Sequence, residues 1–170
     1  MKFSEIHYGI QEGKNPACEI AAMDTINNKY AYVISYNPNN PCVYISLPKT
    51  NSYYFIISSI LFFARVSSKK ERILSDLQGI LSYSLPSIHG GITYIGMNLP
   101  KNVMTLGLNL EKNDLTTQGI WIGWDYDHYP VDYCGLLQEG KKKWTVEEIE
   151  KQISQVVKEL EACNICSDEI

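Results

Sequence analysis

At 170 residues, 45% hydrophobic and 20% charged, the chain has an ordinary globular composition and the length to bury roughly 70% of its unfolded surface. One domain over residues 1–170 is expected, with no need of a disulfide or metal staple. The formal net charge of −4 excludes a strongly basic nucleic-acid binder and is too small to imitate DNA.

Residues 1–27 show no clear period, and Met1–Ile10 is mixed polar rather than signal-like. The element this region admits is a short helix over Ala17–Asn27. Lys29–Asn37 is rich in β-formers, Asn37-Pro38-Asn39-Asn40-Pro41 is a turn, and Cys42–Pro48 is a second strand, which together predict a hairpin. Tyr53–Val66 is largely apolar, interrupted by Ser58, Ser59 and Arg65, and reads equally as helix or strand. It falls short of the roughly 20 residues that span a bilayer, so no membrane partner is expected.

Lys69–Tyr83 is predicted helical, with Ile73, Leu74, Leu77, Ile80 and Leu81 on one face. Ser87–Pro100 is a predicted strand entered through Gly90-Gly91, and Asn102–Leu110 another. A turn at 111–118 leads to a strand over Gly119–Tyr126. There Ile120, Ile122 and Trp124 share one face, and Trp121, Gly123 and Asp125 the other. The last helix begins with the capping box Thr145–Glu148 and carries the stripe Val146, Ile149, Ile153, Val156, Val157 and Leu160. The class is α+β: a mostly antiparallel sheet covered by two or three helices, the C-terminal one included.

Five cysteines, Cys18, Cys42, Cys134, Cys163 and Cys166, are odd in number and irregular in spacing. They predict neither a secreted disulfide scaffold nor, at Cys163–Cys166, a zinc or redox motif. A reducing cytoplasm and no cofactor or metal are expected. The basic runs Ser67–Arg72 and Lys141–Lys143 lead into helical segments and read as solvated loops, so no nucleic-acid partner is expected.

Three stretches combine polar side chains with special backbone. Cys42–Tyr54 offers Tyr44 and Lys49 as candidate ligand contacts. His89-Gly90-Gly91-Ile92-Thr93 places two glycines where backbone can approach a ligand and form an anion nest, with Thr93 on the same side as Gly91. It reads equally as a glycine bend at a strand entrance. In Gly119–Tyr133 the strand ends in Asp125, His128 and Asp132. Asp125 either orients the His128 imidazole or staples the loop as an Asx turn. If the two strands are neighbours, His89, Asp125 and His128 converge, and Trp121, Trp124, Tyr94, Tyr126 and Tyr129 supply stacking walls. Stacking, anion nest and Asp acceptors are what a nucleotide pocket uses, and the same rings also serve as core.

The motifs Cys42-Val43-Tyr44-Ile45-Ser46-Leu47-Pro48, His89-Gly90-Gly91-Ile92-Thr93-Tyr94 and Trp121-Ile122-Gly123-Trp124-Asp125-Tyr126-Asp127-His128, followed by a C-terminal helix over the Trp144–Glu161 region, resemble a widespread family of small proteins encoded by phages and other mobile elements. The resemblance covers roughly residues 42–162. Asn51 and Ser52 stand where the family often has His-Pro, and Pro130-Val131-Asp132 where it usually has Gly-Asp. The resemblance implies an anti-defence setting in a bacterial host. Its first form is a homodimeric sponge that sequesters a cyclic or ADP-ribose-type nucleotide through His89, Gly90, Gly91, Thr93, Trp121, Trp124, Asp125, His128, Asp132, Tyr44 and Lys49. The alternatives are a phosphodiesterase using His89, His128 and Asp125, or a protein–protein inhibitor of a host defence component.

Overall fold

The structure is a computed structural model that describes residues 19–37, 40–104, 118–128, 131–132 and 141–163. Five strands, β1 (Glu19–Ile26), β2 (Tyr30–Asn37), β3 (Asn40–Leu47), β4 (Tyr94–Asn98) and β5 (Gln118–Asp125), form one sheet in the order β1-β2-β3-β5-β4. All neighbours are antiparallel. The helices are α1 (Ser52–Val66), α2 (Lys70–Ser84), the single turn α3 (Lys101–Met104) and α4 (Val146–Ala162). The α+β class holds, and no helix among the described residues is long and apolar enough to cross a membrane.

Period-2 alternation sorts the strands onto two cores. Tyr30, Tyr32, Ile34, Val43, Ile45, Leu47, Ile120, Ile122 and Trp124 bury against α1, α2 and α4. Ala31, Val33 and Trp121 face the other side, where Leu99 and Val103 cover them. All six apolar-stripe residues of α4 are buried.

Three elements differ from expectation. Ala17–Asn27 is not helical: from Glu19 it is β1, reversed into β2 by a turn at Asn27 and Asn28, with φ of 55° and 51°. Asparagine tolerates that left-handed backbone, and the strand's hydrogen bonds override a weak local preference. The expected strand from Asn102 instead starts as α3, because the chain turns straight after Pro100, whose carbonyl accepts from the Val103 N–H at 2.9 Å. Strand β4 starts only at Tyr94, so residues 87–93 are a loop. Within α2, Leu77 and Leu81 are buried whereas Ile80 faces solvent. The rest of the expected 102–110 strand, the 111–117 turn, Tyr129, Cys18, Cys134 and Cys166 lie outside the described residues.

Candidate functional site

The site forms where β5 ends. The pairs Tyr94↔Gly123 and Thr93 N–H to Gly123 O (2.9 Å) set the start of β4 beside the end of β5. The 85–93 loop is pinned on the same side. Leu85, Ile88 and Ile92 are buried, the Ile92 N–H donates to Ser82 Oγ at 2.8 Å, and Ser87 donates through N–H and Oγ to the Glu159 carboxylate at 3.2 and 2.5 Å. After β5, the N–H groups of Val131 and Asp132 both donate to the His128 carbonyl, at 2.8 and 3.0 Å. That turn returns Asp132 beneath His128.

Asp132 is fully buried and sits at the centre. Its Oδ2 accepts from His89 Nε2 at 2.7 Å, from the His128 N–H at 3.0 Å and from His128 Nδ1 at 3.2 Å. Its Oδ1 accepts from the Trp144 indole N–H at 2.8 Å. Burial pushes the carboxyl up, but Trp144, His89 and the His128 backbone N–H outweigh it and hold the group below its ordinary value of 3.8. An ionised carboxylate only accepts, so each ring nitrogen facing it carries the proton.

The rings are packed as firmly as they are bonded. His89 stacks on Tyr126, centroids 4.8 Å apart and 10° from parallel, and meets His128 and Trp144 edge-on at 5.0 Å each. Tyr126 is held in turn by Trp124 Nε1–H, which donates to its hydroxyl at 3.2 Å, and by its own hydrogen bond to Gln152 on α4. The Lys142 ammonium lies 5.1 Å from the Trp144 ring centroid. Beside His89 opens a polar cleft of about 380 Å³ lined by Ser87, His89, Gly90, Gln152 and Gln155. Among the described residues, His89, His128 and Asp132 are the cluster whose donor atoms, all within 4.8 Å of one another, suit a metal ion.

Of the residues named from sequence, the structure brings together His89, Gly90, His128 and Asp132. Gly90 has φ 67°, and a Cβ there would fall inside the His128 imidazole. The glycine therefore lets the two histidine-bearing segments touch. Asp125 accepts from the Asp127 N–H at 3.1 Å, an Asx turn, and its carboxylate stays 3.9 Å from His128 Nε2. The orienting carboxylate is Asp132, not Asp125.

The other named residues lie apart from this cluster. Trp121 and Trp124 are buried in the two cores, so as placed neither ring faces a ligand. Tyr44 packs edge-on against Tyr94 at 5.5 Å, on the face that carries Trp121. Thr93 is exposed, and Lys49 lies in an exposed turn after β3. Because Cys42 pairs with Asp125 and Leu47 with Ile120, Lys49 is about 16 Å or more from the histidines, at roughly 3.3 Å per residue. Asn51, where the family pattern has His, is a structural residue: it caps α1 through Tyr53 N–H (2.9 Å) and donates to the Leu160 carbonyl at 3.0 Å. Trp144 escaped notice in the sequence as a site residue. Its position just before the Thr145 cap, facing inward at the start of an amphipathic helix, was the available signal.

Comparison with known protein families, with curated proteins and with solved structures finds no match to this chain.

Proposed function

We propose that the chain is an anti-defence protein of a phage or mobile element, acting in the bacterial cytoplasm, that binds and sequesters a nucleotide-type immune signal at the His89–Asp132–His128 site. The convergence of two part-exposed imidazoles on one buried carboxylate, with His89 lining a polar cleft, carries this proposal. The cleft is open and lined mainly by polar groups. Its imidazole and glutamine groups suit phosphate and ribose oxygens better than an apolar ligand. Half-buried Trp144, packed on His89 and Tyr126, backs the imidazole from behind the cleft. The anti-defence setting rests on the motif resemblance, which is an association of setting rather than of chemistry.

Cleavage of the same ligand is the second reading, favoured by one feature. Donation from His128 Nδ1 to Asp132 leaves Nε2 of the neutral ring as the proton acceptor, and the His89 ring 5.0 Å away serves as a partner acid only when both of its nitrogens carry protons. Calorimetry with a panel of cyclic oligonucleotides and ADP-ribose derivatives, followed by mass spectrometry of the recovered ligand, tests both. Sequestration predicts saturable binding that is lost in His89→Ala, and intact ligand after long incubation. Cleaved ligand moves the assignment to a phosphodiesterase, and binding by no member of the panel defeats the proposal.

A further inference from the structure

We propose that His89 Nε2, His128 Nδ1 and Asp132 Oδ2 bind a divalent transition-metal ion of the Zn²⁺, Fe²⁺, Co²⁺ or Mn²⁺ class. This goes beyond the nucleotide proposal and stands without it. Bonds of about 2.0–2.2 Å from nitrogen and oxygen to such an ion place neighbouring ligand atoms roughly 2.9–3.5 Å apart. Asp132 Oδ2 lies 3.2 Å from His128 Nδ1, inside that range, and 2.7 Å from His89 Nε2, just below it, with all three ligand atoms within 4.8 Å of one another. To bind through these nitrogens each neutral ring moves the proton that now points at the carboxylate to its other nitrogen, which frees the lone pair for the ion.

The surroundings match what a metal site needs beyond its ligands. The Trp144 N–H holds Oδ1 at 2.8 Å and leaves Oδ2 for the ion, as outer partners of ligating carboxylates do. The stack on Tyr126 fixes the His89 ring, and the bare Gly90 fixes the place of His128. Two imidazoles and one carboxylate favour the borderline transition metals over Ca²⁺ or Mg²⁺. Three protein ligands leave a position open to water or a phosphate oxygen, which is the arrangement of a reactive rather than a structural site. Sequence spacing conceals the set, because His89 and Asp132 are 43 residues apart.

The test uses the full chain, stripped with a chelator and titrated with Co²⁺ and Zn²⁺ alone. One ion per chain is expected, with visible Co²⁺ absorption. Affinity should fall at least about tenfold in His89→Ala and in His128→Ala, and by about 10- to 100-fold in Trp144→Phe. Circular dichroism checks that each variant folds. In the unaltered protein, Co²⁺ should also shift or broaden the His89 and His128 ring signals in NMR, a readout that needs no variant. Absence of a bound ion, ring signals that stay in place, or unchanged binding in the folded His89→Ala/His128→Ala protein overturns the proposal. With no nucleotide present, a failure here leaves the ligand proposal standing, and a failure of ligand binding leaves this one standing.

Discussion

Gly90 is where one missing atom has the largest consequence. Its φ of 67° disfavours any L side chain, and the space a Cβ would take holds the His128 ring. Gly90→Ala should cost about 2 kcal/mol or more from backbone strain and overpacking together. At this chain length that lowers Tm by about 4–8 °C. It should also move His128 off Asp132 and abolish ligand binding. Gly91→Ala is the control. That residue also has positive φ (92°), but its Cβ would meet Ser82 Oγ at 3.1 Å, so it should lose stability while keeping the site. Thermal melts and calorimetry on both variants separate the two effects. Sequence showed that the two glycines mattered but not why, because the reason is a ring from a segment far along the chain. It leaves Asp125 as either an orienter of His128 or an Asx staple of the loop, and the staple is what forms. The turn that returns Asp132 to His128 is made by backbone bonds to the His128 carbonyl, which a one-dimensional spacing does not display.

Element by element, legibility followed local strength of pattern. Helix α4 was readable throughout because its cap and its stripe agree: the Thr145 hydroxyl accepts from the Glu148 N–H, and the Glu148 carboxylate accepts from the Thr145 N–H. Strand β1 was not, because Glu19–Ile26 alternates weakly and gains its form from pairing with β2. Its readable mark was Asn27-Asn28, a pair suited to a left-handed turn. Thr145→Ala should cost about 1 kcal/mol, a fall of about 2–4 °C in Tm. Glu148 adds a pH signature. The Lys142 ammonium first, then the Thr145 N–H, hold its carboxyl below the ordinary 4.5. A depressed folded value means a contribution present above 4.5 and lost as pH falls through the folded value. The Tm difference between the native chain and Glu148→Gln should therefore be open at pH 7 and close under strong acid. A difference that is constant with pH would assign the effect to shape rather than charge.

At the scale of the whole molecule, the site occupies one end of the sheet, while among the described residues none covers the outer face of α1. Phe55, Ile56, Phe62, Phe63 and Val66 are each more than half exposed, and their spacings, seven for 55/62 and 56/63, four for 62/66 and three for 63/66, place them on one helical face. Phe62 and Phe63 meet edge-on, 6.0 Å between centroids. A contiguous aromatic face of this kind is costly to leave in water and marks an interaction surface. The homodimer proposed from the sequence would use that face, with a second copy packing α1 against α1 about a two-fold axis. Isologous pairing doubles the effect of each substitution, since every changed residue meets both the partner's surface and its own counterpart. Phe62→Glu would set like charges against each other across the axis. Sedimentation velocity should find a concentration-dependent dimer for the native chain and a monomer for Phe62→Glu, with the helix content unchanged. His89 and His128 are on other elements, so the monomeric variant should still bind ligand, though with faster release if the second copy helps to close the cleft. A native chain that sediments as a monomer at high concentration would reassign the α1 face to a different protein, and with it favour direct inhibition of a host component over sequestration.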